Sequence, residues 1–453
     1  MPRLRALVLA GAVLATACSD GAESPAGPAG PDLSSGGRGS LAVATNADDG
    51  PGSLRHAVDE ANGDPSVTSI QIRRGIGPIR LRMPITYSGA QALTIVGRDA
   101  ELVGTQLAAA EAALVADGGG NLTLRALGVR GAPGNGITIA VPDAADGTIS
   151  IVLEDVTIRG NGLHGVLVND QAEYFADPSS ESAEGSDASV KIDVRRSRFY
   201  RNGLTALDYD GLRINEGGSG RILALITGSE FLANGADGVE LDERGSGDAE
   251  FLLLRSRLER NGSFSTEDLD DGIDVDESGD GDIVGRFFHV KANDNSEQGV
   301  DLNENGAGGL RVKMLDVEGS RNGEEGIEFE EDDDIEGGGD IVARLVDVTT
   351  NRNGAVDGDA GLKLREKGPG SLFARLLRTR ASNNSIGGIL LREDLDGNLD
   401  GSLLDAIASH NGGAGVALEQ EEPGTGEVRI TRLRADDNTD GPVTTEGVIV
   451  IAP

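Results

Sequence analysis

The residues that could do chemistry in this sequence are carboxylates that recur at a fixed place in a short motif. The motif is Gly, apolar, any, apolar, any and then usually an acid, as in GVELDE from Gly238 and GIDVDE from Gly272. The closing acid stands at Asp170, Glu216, Glu243, Glu277, Glu304, Glu331, Glu366 and Glu393. Because Ca²⁺ takes about six to eight oxygen ligands, repeated carboxylates of this kind could supply a calcium site.

The acids are densest in four consecutive motifs between Gly238 and Asp334. We expect them to point outward, where they would either bind Ca²⁺ or form a solvated acidic face partly neutralised by neighbouring arginines. Crowding of like charges is expected to raise some of their pKa values. The candidate metal ligands are Glu240, Asp242, Glu243, Asp274, Asp276, Glu277, Asp301, Glu304, Glu328, Glu330 and Glu331.

An internal repeat determines where these acids must lie. The spacing between successive motif glycines is most often 27 residues, and longer spacings carry insertions. Each unit also holds an Asn, usually followed by Gly, and a Gly-rich corner after the motif. We predict that the asparagines stack as a structural turn ladder: Asn161, Asn202, Asn234, Asn261, Asn295, Asn322, Asn353, Asn384, Asn411 and Asn438.

The repeat predicts a parallel β-solenoid. Alternation over a few residues is typical of a half-buried strand, so Val239 and Leu241 should point inward while Glu240 and Asp242 point outward. Asn and Gly tolerate the left-handed backbone of tight corners. A unit of about 27 residues can then close one coil that pairs with the coils above and below it. The predicted fold is all-β, a right-handed single-stranded parallel β-helix with a short N-terminal capping helix.

Composition excludes several function classes. The chain has 453 residues, 40 basic and 76 acidic side chains, and a net charge of −36. A nucleic acid partner would need a basic footprint, so none is expected. The four His are scattered and the only Cys is Cys18, which argues against a zinc site and against an intrachain disulfide.

The N-terminal sequence predicts that the protein is exported to the cell envelope. Residues 1–17 combine Arg3 and Arg5 with a short apolar stretch, which indicates a signal peptide. Ala15-Thr16-Ala17-Cys18 resembles a bacterial lipobox, so Cys18 is the predicted lipidation site and the membrane partner is reached through the lipid. Residues 18–39 would be the lipidated Cys and a flexible linker. The predicted location is the outer membrane, facing either side, and the alternative is an ordinary secretory signal.

Residues 43–62, VATNADDGPGSLRHAVDEAN, carry a family resemblance. They resemble the N-terminal segment of bacterial right-handed parallel β-helix surface proteins, whose motif is GSLRxA(I/V)xxAN. The resemblance implies a pectate-lyase-like fold, with residues 40–75 as the cap and first strands and residues 76–453 as β-helix repeats. Locally, Ser53 is a plausible N-cap, and Leu54, Ala57, Val58 and Ala61 lie on one helical face.

The sequence favours a non-catalytic, lipid-anchored rod with a structural, adhesive or ligand- and cation-binding role, whose ligand would be a polysaccharide or a surface protein. The alternative is a polysaccharide lyase or glycoside hydrolase that acts on an acidic polysaccharide. Relatives of the fold with a polygalacturonase-like activity need an Arg-Ile-Lys that this sequence lacks, and no Trp is present to stack on sugar rings. Insertions at 171–189, 204–210, 263–271 and 355–360 would favour the enzyme if they built walls around a cleft.

The last strand predicts a partner of another kind. Residues 448–451, VIVI, would form an uncovered sheet edge, and uncovered edges invite pairing. We therefore expect end-to-end self-association, which Ile449→Lys should weaken.

Overall fold

The computed structural model describes residues 39–172, 174, 183–266, 269–331 and 338–451. The predictions for the signal peptide, Cys18 and most of the linker therefore lie outside the described residues. In the described part of the chain, no helix is long and apolar enough to span a membrane.

The predicted parallel β-solenoid is confirmed. The described strands form one 13-stranded and one 20-stranded sheet, and each strand pairs in parallel with the equivalent strand of the next coil. Hydrogen-bonded partners on successive coils are commonly 27 residues apart, as Asn234 and Asn261 are. The period read from the motif glycines is therefore the most common coil length.

The strands, in chain order, are β1 Ser40–Val43, β2 Ser69–Ile72, β3 Ile79–Arg80, β4 Ile85–Tyr87, β5 Leu93–Val103, β6 Leu114–Ala116, β7 Leu122–Arg130, β8 Ile137–Ala140, β9 Asp146–Glu154, β10 Thr157–Arg159, β11 Val166–Asp170, β12 Asp187–Arg195, β13 Arg198–Tyr200, β14 Leu212–Glu216, β15 Ile222–Thr227, β16 Glu230–Leu232 and β17 Val239–Glu243. They continue as β18 Ala249–Leu254, β19 Arg257–Glu259, β20 Ile273–Glu277, β21 Ile283–Asn293, β22 Val300–Glu304, β23 Leu310–Glu318, β24 Ile327–Glu331, β25 Ile341–Thr349, β26 Ala360–Glu366, β27 Leu372–Leu377, β28 Gly387–Glu393, β29 Leu399–Leu404, β30 Val416–Gln420, β31 Gly426–Thr431, β32 Val443–Glu446 and β33 Val448–Ile451.

The repeated acidic motif supplies most strands of the 13-stranded sheet, which consists of β4, β6, β8, β11, β14, β17, β20, β22, β24, β26, β28, β30 and β32. The other strands belong to the 20-stranded sheet. A left-handed residue turns the chain within or between them, as Arg255 (φ 52°) does between β18 and β19 and His289 (φ 57°) does inside β21.

The predicted capping helix, α1, runs from Leu54 to Gly63 and packs on the first coil. Ser53 is its N-cap, and the Ser53 hydroxyl accepts the backbone N–H of His56 at 3.2 Å. Leu54, Ala57 and Val58 are buried against the core. The helix thus covers apolar side chains at the start of the solenoid that no earlier coil could cover.

Inward-pointing apolar residues from every coil form one continuous core, and Val239 and Leu241 of β17 are both fully buried in it. Like residues stack on like: the rings of Phe199 and Phe231, on successive coils, are parallel with centroids 4.6 Å apart.

The asparagines of the turn ladder form a continuous hydrogen-bonded column, here called the Asn column. Asn261 shows the pattern, because its Oδ1 accepts both the backbone N–H of Asn234 (3.2 Å) and the Asn234 side-chain amide (3.0 Å). Its own Nδ2 donates to Asn295 Oδ1 at 3.1 Å. All members except the last, Asn438, are buried.

The corner conformation differs from the expectation. The left-handed residue is the one that precedes each column Asn, such as Arg260 (φ 62°) before Asn261, and the Asn itself is not left-handed. The motif Gly has a packing reason instead. A Cβ on Gly238 would lie 2.5 Å from the Gly272 carbonyl oxygen and 2.8 Å from Asn261 Nδ2. The motif Gly of one coil is therefore in direct contact with the column Asn of the next coil.

The final strand, β33, pairs with β31, and Ile449 on it is 69% exposed. No strand of the described residues covers its other edge. End-to-end pairing through this edge stays a prediction.

We predict that Asn261→Ala lowers the free energy of unfolding by roughly 2–4 kcal/mol, because it leaves two buried amide donors of Asn234 without an acceptor. Urea unfolding measures the change. Asn438→Ala is the matched control: it removes the acceptor of two Asn411 amide donors, but Asn438 is only half-buried, so water can replace it and the change should cost clearly less. Equal losses would contradict a role for buried amide pairing.

Candidate functional site

The outward face of the 13-stranded sheet carries a row of charged side chains, one per coil. Its members are in register at the second position of the motif strand, so neighbours lie roughly 4.8 Å apart along the row. The outward row consists of Arg213, Glu240, Asp274, Asp301, Glu328 and Lys363. A cation therefore stands at each end and four acids stand between them.

One end of the outward row is neutralised by Arg213. Its guanidinium contacts Glu240 Oε2 at 2.5 Å and Asp242 Oδ2 at 2.6 Å, and it lies 3.7 Å from Asp210 Oδ2. All four side chains are buried. These acids raise the pKa of Arg213 far above its ordinary value despite its burial, so the guanidinium stays charged.

Lys363 neutralises the other end in the same way. Its Nζ contacts Glu328 Oε1 at 2.5 Å, Glu330 Oε2 at 3.1 Å and Asp359 Oδ2 at 3.4 Å. Lys367 also pairs with Glu330 and, more than any other partner, holds the pKa of that carboxyl below its usual value against the effect of burial.

The middle of the row has no such cation. Among the described residues, no basic side chain forms an ion pair with Asp237, Asp271, Asp274 or Asp301, which we call the central acids. Their oxygens converge: Asp271, Asp274 and Asp301 each offer an oxygen within 4.8 Å of the others, as do Asp237, Glu240 and Asp274. The Oδ1 atoms of Asp274 and Asp301 are buried and accept no hydrogen bond.

The pKa values of these acids reflect the lack of a basic partner. Burial, and then the neighbouring Asp276 and Asp301, raise the pKa of Asp274 well above its ordinary value. Burial and Glu328 do the same to the pKa of Asp301. The pKa of Asp276 is raised to about 6, chiefly by burial. A group of acids that cannot all ionise without a counter-charge is chemically suited to a divalent cation.

Backbone hydrogen bonds hold two of the central acids in place. Asp237 and Asp271 each precede a motif Gly, and one oxygen of each accepts the backbone N–H of the equivalent residue on the next coil, Asp271 and Gln298 respectively. The repeated Asp-Gly dipeptide at 210, 237 and 271 was the sequence signal for this second column. Neither Asp237 nor Asp271 is among the metal ligands predicted from the sequence.

Three of the predicted insertions contribute acids to this face. The segment 204–210 supplies Asp208 and Asp210, the segment 263–271 supplies Asp271, and the segment 355–360 supplies Asp359. Insertions therefore line the acidic face rather than decorate it at a distance.

A buried polar group adjoins the Arg213 end. His164 Nδ1 accepts the Asp210 backbone N–H at 3.0 Å, and His164 Nε2 lies 3.0 Å from the Tyr174 hydroxyl. Burial lowers the pKa of His164, which keeps the ring neutral, so Nε2 donates to Tyr174. Both side chains are almost wholly inaccessible, which suits a supporting role under Arg213 better than contact with a substrate.

The expected outward column of closing acids was wrong. Glu216, Glu243, Glu277, Glu304, Glu331, Glu366 and Glu393 are all 0% exposed, and Asp170 is 3% exposed. The closing acid is the fifth residue after the motif Gly and shares its face with the inward first and third residues, because side chains alternate along a strand. Of the candidate metal ligands, Glu243, Glu277, Glu304 and Glu331 therefore lie inside the solenoid.

The remaining candidates separate into two groups. Glu240, Asp274, Asp301 and Glu328 belong to the outward row. Asp242, Asp276 and Glu330 form part of a second outward row, where Asp242 and Glu330 have basic partners. Only Asp274 and Asp301 combine an outward position, convergent neighbours and the absence of a described basic partner.

No family model and no curated protein sequence matches this chain. Solved structures do match its fold. The A-module of the Azotobacter vinelandii mannuronan C-5 epimerase AlgE4 is 12% identical, covers 90% of this chain and 97% of its own, and gives a TM-score of 0.50. Pectate lyase Pel9A is 14% identical over 79% of this chain and 80% of its own, with a TM-score of 0.43. The fold is thus a parallel β-helix like that of the AlgE4 A-module, and such a fold fixes no activity.

We predict that Arg213→Met lowers the free energy of unfolding by about 3–5 kcal/mol, because it leaves buried carboxylates without their counter-charge. The control is Arg375→Met, which removes a pair with Asp400 whose two side chains are each about half exposed. That change should cost under about 1 kcal/mol. Equal losses in urea unfolding would show that Arg213 does not neutralise the row.

Proposed function

We propose that this protein is a non-catalytic, lipid-anchored β-helix of the cell envelope that binds Ca²⁺ at the central acids. The observation that carries the proposal is the charge pattern of the outward row. Arg213 and Lys363 each neutralise the acids at their own end, whereas Asp274 and Asp301 have convergent carboxylates and no described basic partner. A bound divalent cation would supply the missing positive charge.

The donor set suits calcium among the common ions. All candidate ligand atoms are carboxylate oxygens, which hard cations prefer. Asp237, Asp271, Asp274 and Asp301 would supply the oxygens from three successive coils. Mg²⁺ is the natural competitor, but it demands a stricter octahedral arrangement than acids fixed to stacked strands can readily adopt.

Cation binding gives a route to a polyanionic ligand. A Ca²⁺ ion held by the central acids would retain positions that carboxylates of an acidic polysaccharide can occupy. Such a bridge would let a chain with a net charge of −36 bind another polyanion. Mannuronan, named for the AlgE4 epimerase, is the first polymer to screen.

We predict that Ca²⁺ stabilises the protein through the central acids. At a concentration of 100 times the dissociation constant, the ion should add about 2.7 kcal/mol to the free energy of unfolding. Thermal melts in chelator and in Ca²⁺, at matched ionic strength, measure this. Asp274→Asn combined with Asp301→Asn should abolish the shift, and the exposed Asp316→Asn should retain it. Superimposable melts of the unmodified protein would refute a specific site.

The second candidate is a polysaccharide lyase or glycoside hydrolase, and the acids that the insertions contribute to this face favour it. The test is incubation with acidic polysaccharides, with and without Ca²⁺, followed by analysis of chain length and of new unsaturated ends. Turnover that disappears in Asp301→Asn would replace the non-catalytic proposal. Retention of the polymer on immobilised protein without cleavage would support it.

The lipid anchor gives a separate prediction, since Cys18 lies outside the described residues. In the producing bacterium, Cys18→Ala should move the protein from the membrane fraction to the soluble envelope fraction, because the acyl chains that hold it would be missing. Fractionation followed by immunodetection measures the distribution. A protein that is equally soluble with Cys18 present would favour the ordinary secretory signal.

A further inference from the structure

The interior of the solenoid contains a column of stacked glutamates. Consecutive strands of the 13-stranded sheet place them in register, one per coil, with roughly 4.8 Å between successive rungs. The Glu column consists of Glu216, Glu243, Glu277, Glu304, Glu331, Glu366 and Glu393, all 0% exposed. Carboxylates are almost never buried in this way unless a counter-charge or a proton accompanies them.

One oxygen of each of several glutamates is satisfied by the backbone of the Gly-rich corner. Glu243 Oε1 accepts the N–H of Gly245 at 3.0 Å, and Glu366 Oε1 accepts the N–H of Gly368 at 2.7 Å. The corners themselves stack without free space, because a Cβ on Gly245 would lie 1.6 Å from the Gly218 carbonyl oxygen. A side chain in place of Gly245 would therefore have no room.

The second oxygen of these carboxyls faces the neighbouring rung. The Oε2 atoms of Glu216, Glu243, Glu277, Glu304, Glu366 and Glu393 are buried and have no hydrogen-bond partner. The neighbouring carboxyls of Glu216 and Glu277 raise the pKa of Glu243, and those of Glu331 and Glu393 raise the pKa of Glu366, in each case in addition to burial. Buried carboxyls that adjoin one another without a cation are stable only if some of them are protonated, so that a proton lies between an acid and a neighbouring carboxylate.

No described cation is available to the column. Among the described residues, no Lys, Arg or His forms an ion pair with Glu216, Glu243, Glu277, Glu304, Glu366 or Glu393. The charged groups that act on it from the ends and sides are acids: Asp170 beside Glu216 and Asp394 beside Glu393. At the far end the register places Gln420, a neutral amide, on the next rung after Glu393.

We propose that the Glu column is a proton-binding site, in which Glu243, Glu304 and Glu366 are protonated at neutral pH and each donates its proton to one adjacent ionised rung. Each proton forms an O–H···O⁻ hydrogen bond between successive coils, so the column joins the coils instead of forcing them apart. The folded protein thus holds three protons that the unfolded chain releases. This inference is independent of the proposed cation site.

The alternation follows from the contacts. Burial and the adjacent glutamates raise the pKa of Glu243 to about 11, that of Glu304 to about 9 and that of Glu366 to about 11. Glu277, which lies between the first two, accepts hydrogen bonds from both, and these oppose the rise of its pKa through burial. Gln420 stands where the next neutral rung of the alternation would fall.

The direction of the pH dependence follows from these shifts. The folded pKa values lie above the ordinary Glu value of 4.5, so the protonated form is bound more tightly in the folded state. The stabilisation is fully present below about pH 4.5 and is lost as the pH rises toward the folded pKa values of about 9 to about 11. In this window each protonated rung makes the unfolding equilibrium constant rise about tenfold per pH unit.

The test compares how steeply the unfolding equilibrium constant of each variant changes with pH, in the presence of chelator. This pH dependence is called the slope below. Urea unfolding of the unmodified protein and of Glu366→Gln is measured at several values between about pH 6 and about pH 8. Gln keeps the shape and an N–H donor but carries no titrating proton. Per pH unit, the unfolding equilibrium constant of the unmodified protein should rise by some factor. We expect the factor for Glu366→Gln to be about ten times smaller. Equal slopes would overturn the proposal.

The matched control is Glu427→Gln, because Glu427 is an exposed glutamate on β31 and its replacement should leave the slope unchanged. A second measurement covers the case in which Glu366→Gln does not fold. Unfolding the unmodified protein at about pH 8 in weak buffer with an indicator dye should release at least three protons per chain. Fewer than three, or release of a metal ion in their place, would overturn the proposal.

Discussion

In-register parallel pairing between coils is the constraint on which the rest of this structure depends. It places every residue of the repeat directly above its own equivalent, roughly 4.8 Å away, so any residue type that recurs becomes a column of identical side chains. Apolar residues tolerate this arrangement without cost, as the stacked rings of Phe199 and Phe231 show. Polar residues tolerate it only if each rung can satisfy the next.

Asparagine meets that condition unaided, whereas glutamate and aspartate do not. An amide both donates and accepts, so Asn261 can accept from Asn234 and donate to Asn295 without any outside group. An ionised carboxylate only accepts, and a stack of carboxylates needs positive charge or protons. The outward row obtains positive charge from Arg213 and Lys363 at its ends, and we propose Ca²⁺ at its centre and shared protons in the Glu column.

The two acidic features therefore differ in what they are suited to do. The central acids lie on the outer face, beside insertions that vary in length from coil to coil, and this is where a ligand could reach them. The Glu column lies in the core behind a corner of close-packed glycines, and all seven of its glutamates are 0% exposed. Pectate-lyase-like β-helices serve many functions, so these local differences in access and charge carry more information about function than the fold does.

The sequence by itself determined the fold, because the 27-residue period, the strand alternation and the corner glycines are local features that leave one way to stack the units. It also indicated the capping helix, through Ser53 and the apolar face that begins at Leu54. It did not determine which acids share a site. Asp237 and Asp271 meet Asp274 only because coils of unequal length return to the same register.

The tertiary structure was also needed to show which face of its strand each acid occupies. For Glu243, the alternation of side chains along the strand already indicates an inward position. Two acids in sequence, Asp242 and Glu243, lie on opposite sides of one strand, so one pairs with Arg213 and the other is sealed in the core. Their charge is alike in the sequence, but the partners and the dielectric around them are set by residues from other coils. That is why the composition predicted many carboxylates, and only the stacked structure shows which of them have cations, which face one another, and which converge without a partner.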